Sequence, residues 1–141
     1  MNIAFKYEPN DVNWSEAAEL FRKAPLGVRD PDKLRRSCEK SFLVCFAYVE
    51  NILVGMGRAI SDGEYQAAIY DLVILPEYHN KGIGRQIMEE LHRRLPVKTI
   101  ILYAVPGKES FYGKLGYGKM RTAMARRNDD MDDFRSAGYI E

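Results

Sequence analysis

The sequence predicts a mixed α/β fold in which antiparallel strands lead into a parallel strand–helix–strand unit. Three observations carry this. Tyr70, Leu72, Val73, Ile74 and Leu75 form a run of strand formers that stops at Pro76, a residue unable to donate to a ladder. Gly82-Ile83-Gly84 then opens a stretch in which Ile83, Ile87, Leu91 and Leu95 recur every four residues, with Met88 on the same helical face. Ahead of both lie two further strand-like runs, residues 41–49 and 52–60, each followed by a short turn.

The first element is a strand over residues 2–8, where Ile3, Phe5 and Tyr7 alternate with Asn2, Lys6 and Glu8 before Pro9-Asn10-Asp11 breaks the chain. Asn13 is placed to cap a helix, with Glu16 three residues on in capping-box spacing. Ala17, Leu20, Phe21 and Ala24 give that helix one apolar face, and Pro25 to Gly27 ends it. Asp30-Pro31 starts a second helix, short and basic through Lys33, Arg35 and Arg36, which reads as a solvated face. Glu50-Asn51 is a two-residue hairpin connection, and Ser61 to Glu64 is the turn into a strand over residues 65–75. After the glycine turn and its helix, residues 98–104 return as a strand, and a crossover of this length is parallel and right-handed. Pro106-Gly107 precedes a short helix, residues 117–127 are expected to form the last strand, and residues 128–141 a partly ordered tail that is acidic at its start.

At 141 residues the chain is expected to be a single domain, with residues 128–141 as its tail. The net charge of +1 argues against a broad nucleic-acid surface, leaving only the Lys33 to Arg36 patch as a weak candidate. No apolar run approaches the ~20 residues that span a bilayer, and residues 1–10 lack the apolar core of a signal peptide, so a cytoplasmic location is the default. Cys38 and Cys45 have no companion at metal-ligand spacing, and Cys45, inside an apolar run, reads as a small buried hydrophobe. No metal site is expected.

A strand, a glycine turn and a helix N-terminus together aim unpaired backbone N–H groups and the positive end of a helix dipole at one point, which suits a phosphate. The Rossmann spacing fails because Ile87 stands at its third glycine, and the Walker loop fails because Arg85 and Gln86 follow Gly84. The segment His79-Asn80-Lys81-Gly82-Ile83-Gly84-Arg85 instead resembles the pyrophosphate loop of the GCN5-related N-acetyltransferase (GNAT) family, Gln/Arg-x-x-Gly-x-Gly/Ala, with His79 where Gln or Arg is usual. One strand later, Ser110-Phe111-Tyr112-Gly113-Lys114-Leu115-Gly116-Tyr117 resembles the family's Phe-Tyr-x-Lys-x-Gly-Phe/Tyr segment. The second half of the chain carries the resemblance in its motifs, and the first half in its order of elements.

The resemblance implies a GNAT-like acyl-CoA N-acyltransferase fold, with antiparallel N-terminal strands and a parallel β-α-β unit that splays to hold the cofactor. It implies acetyl-CoA as donor and the primary amine of a small molecule or peptide as acceptor, by direct attack in a ternary complex. A non-catalytic acyl-CoA-sensing domain of the same fold is the alternative. The implied cofactor contacts are His79, Asn80, Lys81, Gly82, Ile83, Gly84 and Arg85 at the pyrophosphate, and the main chain of Leu72, Val73 and Ile74 along the pantetheine. Gly107, Lys108, Phe111 and Tyr112 follow from the second motif. Tyr112 matches the family tyrosine that protonates the departing thiolate. Asp71, just before the pantetheine-pairing residues, is the candidate general base and equally a structural acceptor; Glu64 and Glu109 are further carboxylates. The acceptor pocket is expected from residues 26–32 with Tyr65 and Tyr70, and a homodimer is compatible with the family and the tail aromatics.

Overall fold

Five strands form one sheet in sequence order: β1 (Ala4–Lys6), β2 (Leu43–Val49), β3 (Ile52–Ser61), β4 (Gln66–Ile74) and β5 (Thr99–Ile101). The first three pairings are antiparallel and β4 pairs with β5 in parallel, so the sheet is mixed as expected. The computed structural model describes residues 1–141. They divide into two compact units, Met1–Leu102 and Tyr103–Glu141.

In the first unit, α1 (Trp14–Lys23) starts where Asn13 accepts the Glu16 N–H at 3.0 Å. The reciprocal arm of the capping box is absent, because the Glu16 carboxylate instead accepts the Leu53 N–H at 3.1 Å and ties the helix to β3. In α2 (Pro31–Glu39), Asp30 caps the Lys33 N–H and proline occupies the first turn, where its missing donor costs nothing. The β2–β3 hairpin turns on Glu50 and Asn51, both left-handed at φ 50° and 65°, which matches the twist of the strands it joins.

The long helix α3 (Ile83–Arg94) packs on β2, β3 and β4 through Ile83, Ile87, Met88 and Leu91, all buried. Two glycines on β3 permit this approach. A Cβ at Gly57 would lie 3.0 Å from Ile87 Cγ2 and 3.2 Å from Leu91 Cδ1. One at Gly55 would lie 2.6 Å from Ile74 Cδ1 and 3.1 Å from the Val73 carbonyl oxygen. Tyr7 on the first segment donates to Glu90 of α3 and lies 3.4 Å beneath the Arg94 guanidinium, which fixes the helix azimuth. The opposite face of the sheet carries α1 and α2, with Trp14 edge-on to Phe46 at 6.0 Å. No helix is long and apolar enough to cross a membrane.

The second unit holds α4 (Glu109–Gly113) and α5 (Asp132–Ser136). Phe134 stacks on Tyr139 at 4.6 Å, Tyr103 meets both edge-on, and the Arg127 guanidinium lies 4.6 Å over Phe134. The tail is therefore partly helical and built around an aromatic cluster. The strand expected over residues 117–127 is not formed: that segment is irregular and exposed from Gly118 onward. Its only β-branched residue is Thr122, and Lys119, Arg121, Arg126 and Arg127 load it with like charge. The strand expected over residues 98–104 is also shorter, ending at Ile101.

Because the Val73 carbonyl is backbone, Gly55→Ala cannot be relieved by a rotamer change alone. The variant is expected to lose roughly 1–3 kcal/mol of stability. A lowered urea midpoint at unchanged m-value is the measurement that checks this.

Candidate active site

Strand β4 is interrupted by a bulge. Tyr70 pairs with Arg58 and Val73 with Met56, so Asp71 and Leu72 together oppose Gly57. Asp71 takes the left-handed conformation, φ 58°, which Asp tolerates better than most residues. Its carboxylate is bound from two sides. Arg29, in the loop between α1 and α2, donates through both terminal nitrogens at 2.8 and 3.1 Å, and Arg58 on β3 donates through Nε at 2.7 Å. Burial alone would raise this carboxyl's pKa, but the hydrogen bonds and charges of the two guanidiniums outweigh it and hold the group below its ordinary value. Of the two roles open to Asp71 from sequence, the geometry is that of the structural acceptor. A carboxylate held ionised by two arginines is a poor proton acceptor at neutral pH.

The β4–β5 ladder covers only Gln66–Ala68 against Thr99–Ile101. Past Ala68, through Leu72, Val73 and Ile74, β4 has a strand partner on the β3 side alone. This is an unladdered edge of β4 beside the bulge.

After β4, a single 3-10 turn at Pro76–Tyr78 leads to the glycine loop. His79 is exposed, and its Nε2 lies 2.9 Å from the Ile74 carbonyl oxygen. A carbonyl only accepts, so Nε2 carries the proton. The imidazole therefore pins the loop entry to the strand end. Asn80 and Gly82 are both left-handed, φ 61° and 81°, and turn the chain into α3. That helix begins without a side-chain cap and with no acidic residue in its first turn. The orphan N–H groups of Ile83, Gly84 and Arg85 are thus left to solvent or ligand, with the dipole's positive end behind them. Lys81 and Arg85 are exposed at this end; Arg85 lies 2.9 Å from Glu89, an exposed pair that is weak enough to open.

In the second unit, Tyr112 on α4 meets Phe111 edge-on at 5.0 Å and Tyr117 at 6.0 Å. Burial raises the pKa of its phenol, and burial also pushes Tyr117 up to about 12. The Lys108 N–H donates to the Val105 carbonyl, and left-handed Gly107, φ 93°, donates its N–H to Glu109 Oε1 at 2.6 Å. Hydrogen bonds from the Glu109 and Gly107 N–H groups hold the Glu109 carboxyl below its ordinary value. Glu64 is exposed at the turn closed by Asp62.

Both cysteines are buried free thiols, Cys38 pushed up to about 11 and Cys45 to about 12 by burial. Neither has the thiolate character a nucleophile needs. No group of three or more His, Cys, Asp or Glu is placed to hold a metal ion. Arg29 and Arg58 were not singled out from sequence. Neither belongs to a motif, and only the fold brings them to one carboxylate.

Residues 7–129 match the family described as the acetyltransferase (GNAT) domain. The chain belongs to the GNAT family of acetyltransferases. It is 43% identical over 70 residues to an uncharacterized N-acetyltransferase of Porphyra purpurea, covering 48% of this chain and 40% of the relative. It is 33% identical over 106 residues to the chloroplastic serotonin N-acetyltransferase 2 of Oryza sativa, covering 70% of this chain and 53% of the relative. The chain spans about half the length of the curated relatives it matches. A GNAT-family acetyltransferase of Streptococcus pneumoniae superposes with a TM-score of 0.78 at 22% identity, over 92% of this chain and 100% of that one, a likeness of fold.

The depressed carboxyl at Asp71 fixes the sign of a pH effect. Its stabilisation is complete above the unfolded value near ~3.9 and is lost as pH falls through the lower folded value. Asp71→Asn is expected to cost roughly 2–4 kcal/mol at pH 7, since it leaves two guanidiniums without their counter-charge. Urea midpoints of the two proteins should converge as the pH falls through the depressed folded value, where the wild-type carboxyl protonates.

Proposed function

We propose that the whole chain acts as one acetyl-CoA-dependent N-acetyltransferase domain that acetylates a primary amine by direct attack. The observation that carries this reading is the α3 N-terminus, uncapped and free of acidic side chains, behind two left-handed residues. Such an end suits a pyrophosphate, and the absence of a Cβ at Gly82 lets backbone approach the phosphate oxygens. The residues present therefore fit coenzyme A.

When bound, acetyl-CoA supplies the acetyl group as a thioester. The chain's own work is fourfold. The N–H groups between Asn80 and Arg85, including those of Lys81, Gly82, Ile83 and Gly84, bind the pyrophosphate, with the Lys81 and Arg85 side chains adding charge. The main chain of Leu72, Val73 and Ile74 orients the pantetheine arm along the unladdered edge, and one of these N–H groups holds the carbonyl oxygen. The Ile74 carbonyl accepts from His79 at the same strand end. Gly107, Lys108 and Phe111 line the cofactor as the family motif implies. Tyr112 Oη carries a proton for the departing sulfur, and its raised pKa keeps that proton in place through neutral pH.

No carboxylate is assigned as general base: the depressed pKa of Asp71 and of Glu109 makes each a weak proton acceptor, and an amine bound in its neutral form needs none. The amine acceptor stands as a class, small molecule or peptide.

Isothermal titration with acetyl-CoA, using NAD and ATP as controls, tests the cofactor, and turnover with an amine panel tests the enzyme. Selective binding without turnover of any amine would favour the acyl-CoA-sensing alternative. Absence of binding by folded protein would sink both. Gly82→Val is expected to raise the acetyl-CoA Kd more than about tenfold in protein that remains folded by circular dichroism. Tyr112→Phe should lower kcat by roughly 100-fold while the acetyl-CoA Kd moves little, and wild-type turnover would remove Tyr112 from the mechanism.

A further inference from the structure

The helix that carries Tyr112 is only five residues long, and its N-terminus has no side-chain cap. A helix of that length is marginal by itself, so its own backbone does not fix where a side chain on it stands. The chain supplies the restraint at the other end. The Tyr112 carbonyl accepts the Leu115 N–H at 2.9 Å and the Tyr117 N–H at 3.1 Å, and the Gly116 N–H donates to the Gly113 carbonyl at 3.2 Å. Gly116 is left-handed, φ 96°. A wide bond from Tyr117 with a narrower one from Gly116 nested inside it, around a left-handed glycine, is a Schellman closure.

This closure ties Tyr112 to Tyr117 twice. Their backbones share the wide hydrogen bond, and their half-buried rings meet edge-on at 6.0 Å with 78° between planes. A side-chain contact between these two positions commonly accompanies the motif. Phe111 also meets Tyr112, at 5.0 Å, but it is the chain neighbour and moves with the same turn of helix. Tyr117 lies past the helix end, so its ring is the one able to stop that turn rotating. Gly116 serves the closure by conformation alone. A Cβ there would meet nothing within 4 Å, so the position needs glycine for its φ and not for space.

Resting on the acetyltransferase reading, in which Tyr112 Oη gives its proton to the departing sulfur, we propose that Tyr117 is a positioning residue for that transfer. The closure at Gly116 sets the Tyr117 ring against the Tyr112 ring, and the edge-on contact fixes the direction of the Tyr112 phenol. Tyr117 touches no reacting atom, and it acts through its ring without moving a proton. Such a restraint matters because a misplacement of about 1 Å can cost a reacting group on the order of 100-fold in rate.

The test uses the full chain, acetyl-CoA and whichever of tryptamine, spermidine, glucosamine and a lysine peptide the wild-type protein turns over fastest. Tyr117→Ala should lower kcat at least about fivefold, with the amine KM and the acetyl-CoA Kd within about twofold of wild type. Tyr117→Phe keeps the ring and should restore kcat to within about twofold of wild type. In a Tyr112→Phe background, Tyr117→Ala should lower kcat no further, since the hydroxyl it positions is already gone. Gly116→Ala should also lower kcat, and Gly116→Asn should lose less, because asparagine tolerates the left-handed region better than alanine. Gly116→Ala is the independent arm where Tyr117→Ala fails to fold by circular dichroism. Wild-type kcat in folded Tyr117→Ala or folded Gly116→Ala overturns the positioning role. A loss in Tyr117→Phe equal to that in Tyr117→Ala overturns it too, by assigning the effect to the hydroxyl. Multiplicative losses from Tyr112→Phe and Tyr117→Ala overturn it as well. Wild-type protein that acetylates no amine overturns the acetyltransferase reading, wild-type turnover in Tyr112→Phe removes Tyr112 from it, and this proposal falls with either. Both of those results are read with Tyr117 and Gly116 intact, which keeps them distinct from failures of the proposal alone.

Discussion

Close approach of α3 to the sheet is the constraint on which the rest of the first unit depends. A helix dipole is useful only where the helix end is held, and this end is held by packing along its whole length. Gly55 and Gly57 remove the two Cβ atoms that would push the helix off β3, and Ile87 and Leu91 settle into that space. Tyr7, Glu90 and Arg94 then stop the helix rolling. The glycine loop needs no ligand of its own to stay in place. Its far end is the first turn of a buried helix, and its near end is pinned by His79 to Ile74.

The two faces of the sheet handle charge in opposite ways, and the difference follows from strand alternation. Gly57 faces α3 and its neighbour Arg58 faces the α1–α2 side, so one strand supplies both the space for the helix and the cation for Asp71. The bulge at Asp71 lets β4 serve both sides as well. Leu72 Cδ1 approaches the Gly57 position on the helix side, while the Asp71 carboxylate meets both arginines on the other. Without the extra residue, the alternation would place these side chains on the wrong faces.

Much of the scaffold was legible because its signals were local. Asn13 and Asp30 announce their helices, Pro76 ends its strand, and the period of Ile83, Ile87 and Leu91 fixes a face. The glycine turn and the Phe111-Tyr112 segment were legible by their resemblance to the GNAT family, to which the chain belongs. What could not be read was set by partners far along the chain. Glu16 looks like the arm of a capping box until Leu53 arrives as a better-placed donor. Asp71 reads equally as a base or as a structural acceptor, because nothing in its neighbourhood signals Arg29 or the slip in register opposite Gly57. Residues 117–127 stand where the order of elements calls for a last strand, yet a strand needs a partner as well as a place, and their basic side chains favour solvent.

His79 stands where the family usually has Gln or Arg, and the structure changes what that difference amounts to. In this chain the position supplies an N–H donor at the end of a side chain, directed at the last carbonyl of β4. Gln, Arg and neutral His all carry such a donor, through an amide, a guanidinium and a ring nitrogen. In hydrogen-bonding terms the exchange is therefore conservative. The strand end therefore has a side-chain partner of its own, and the glycine loop a fixed entry.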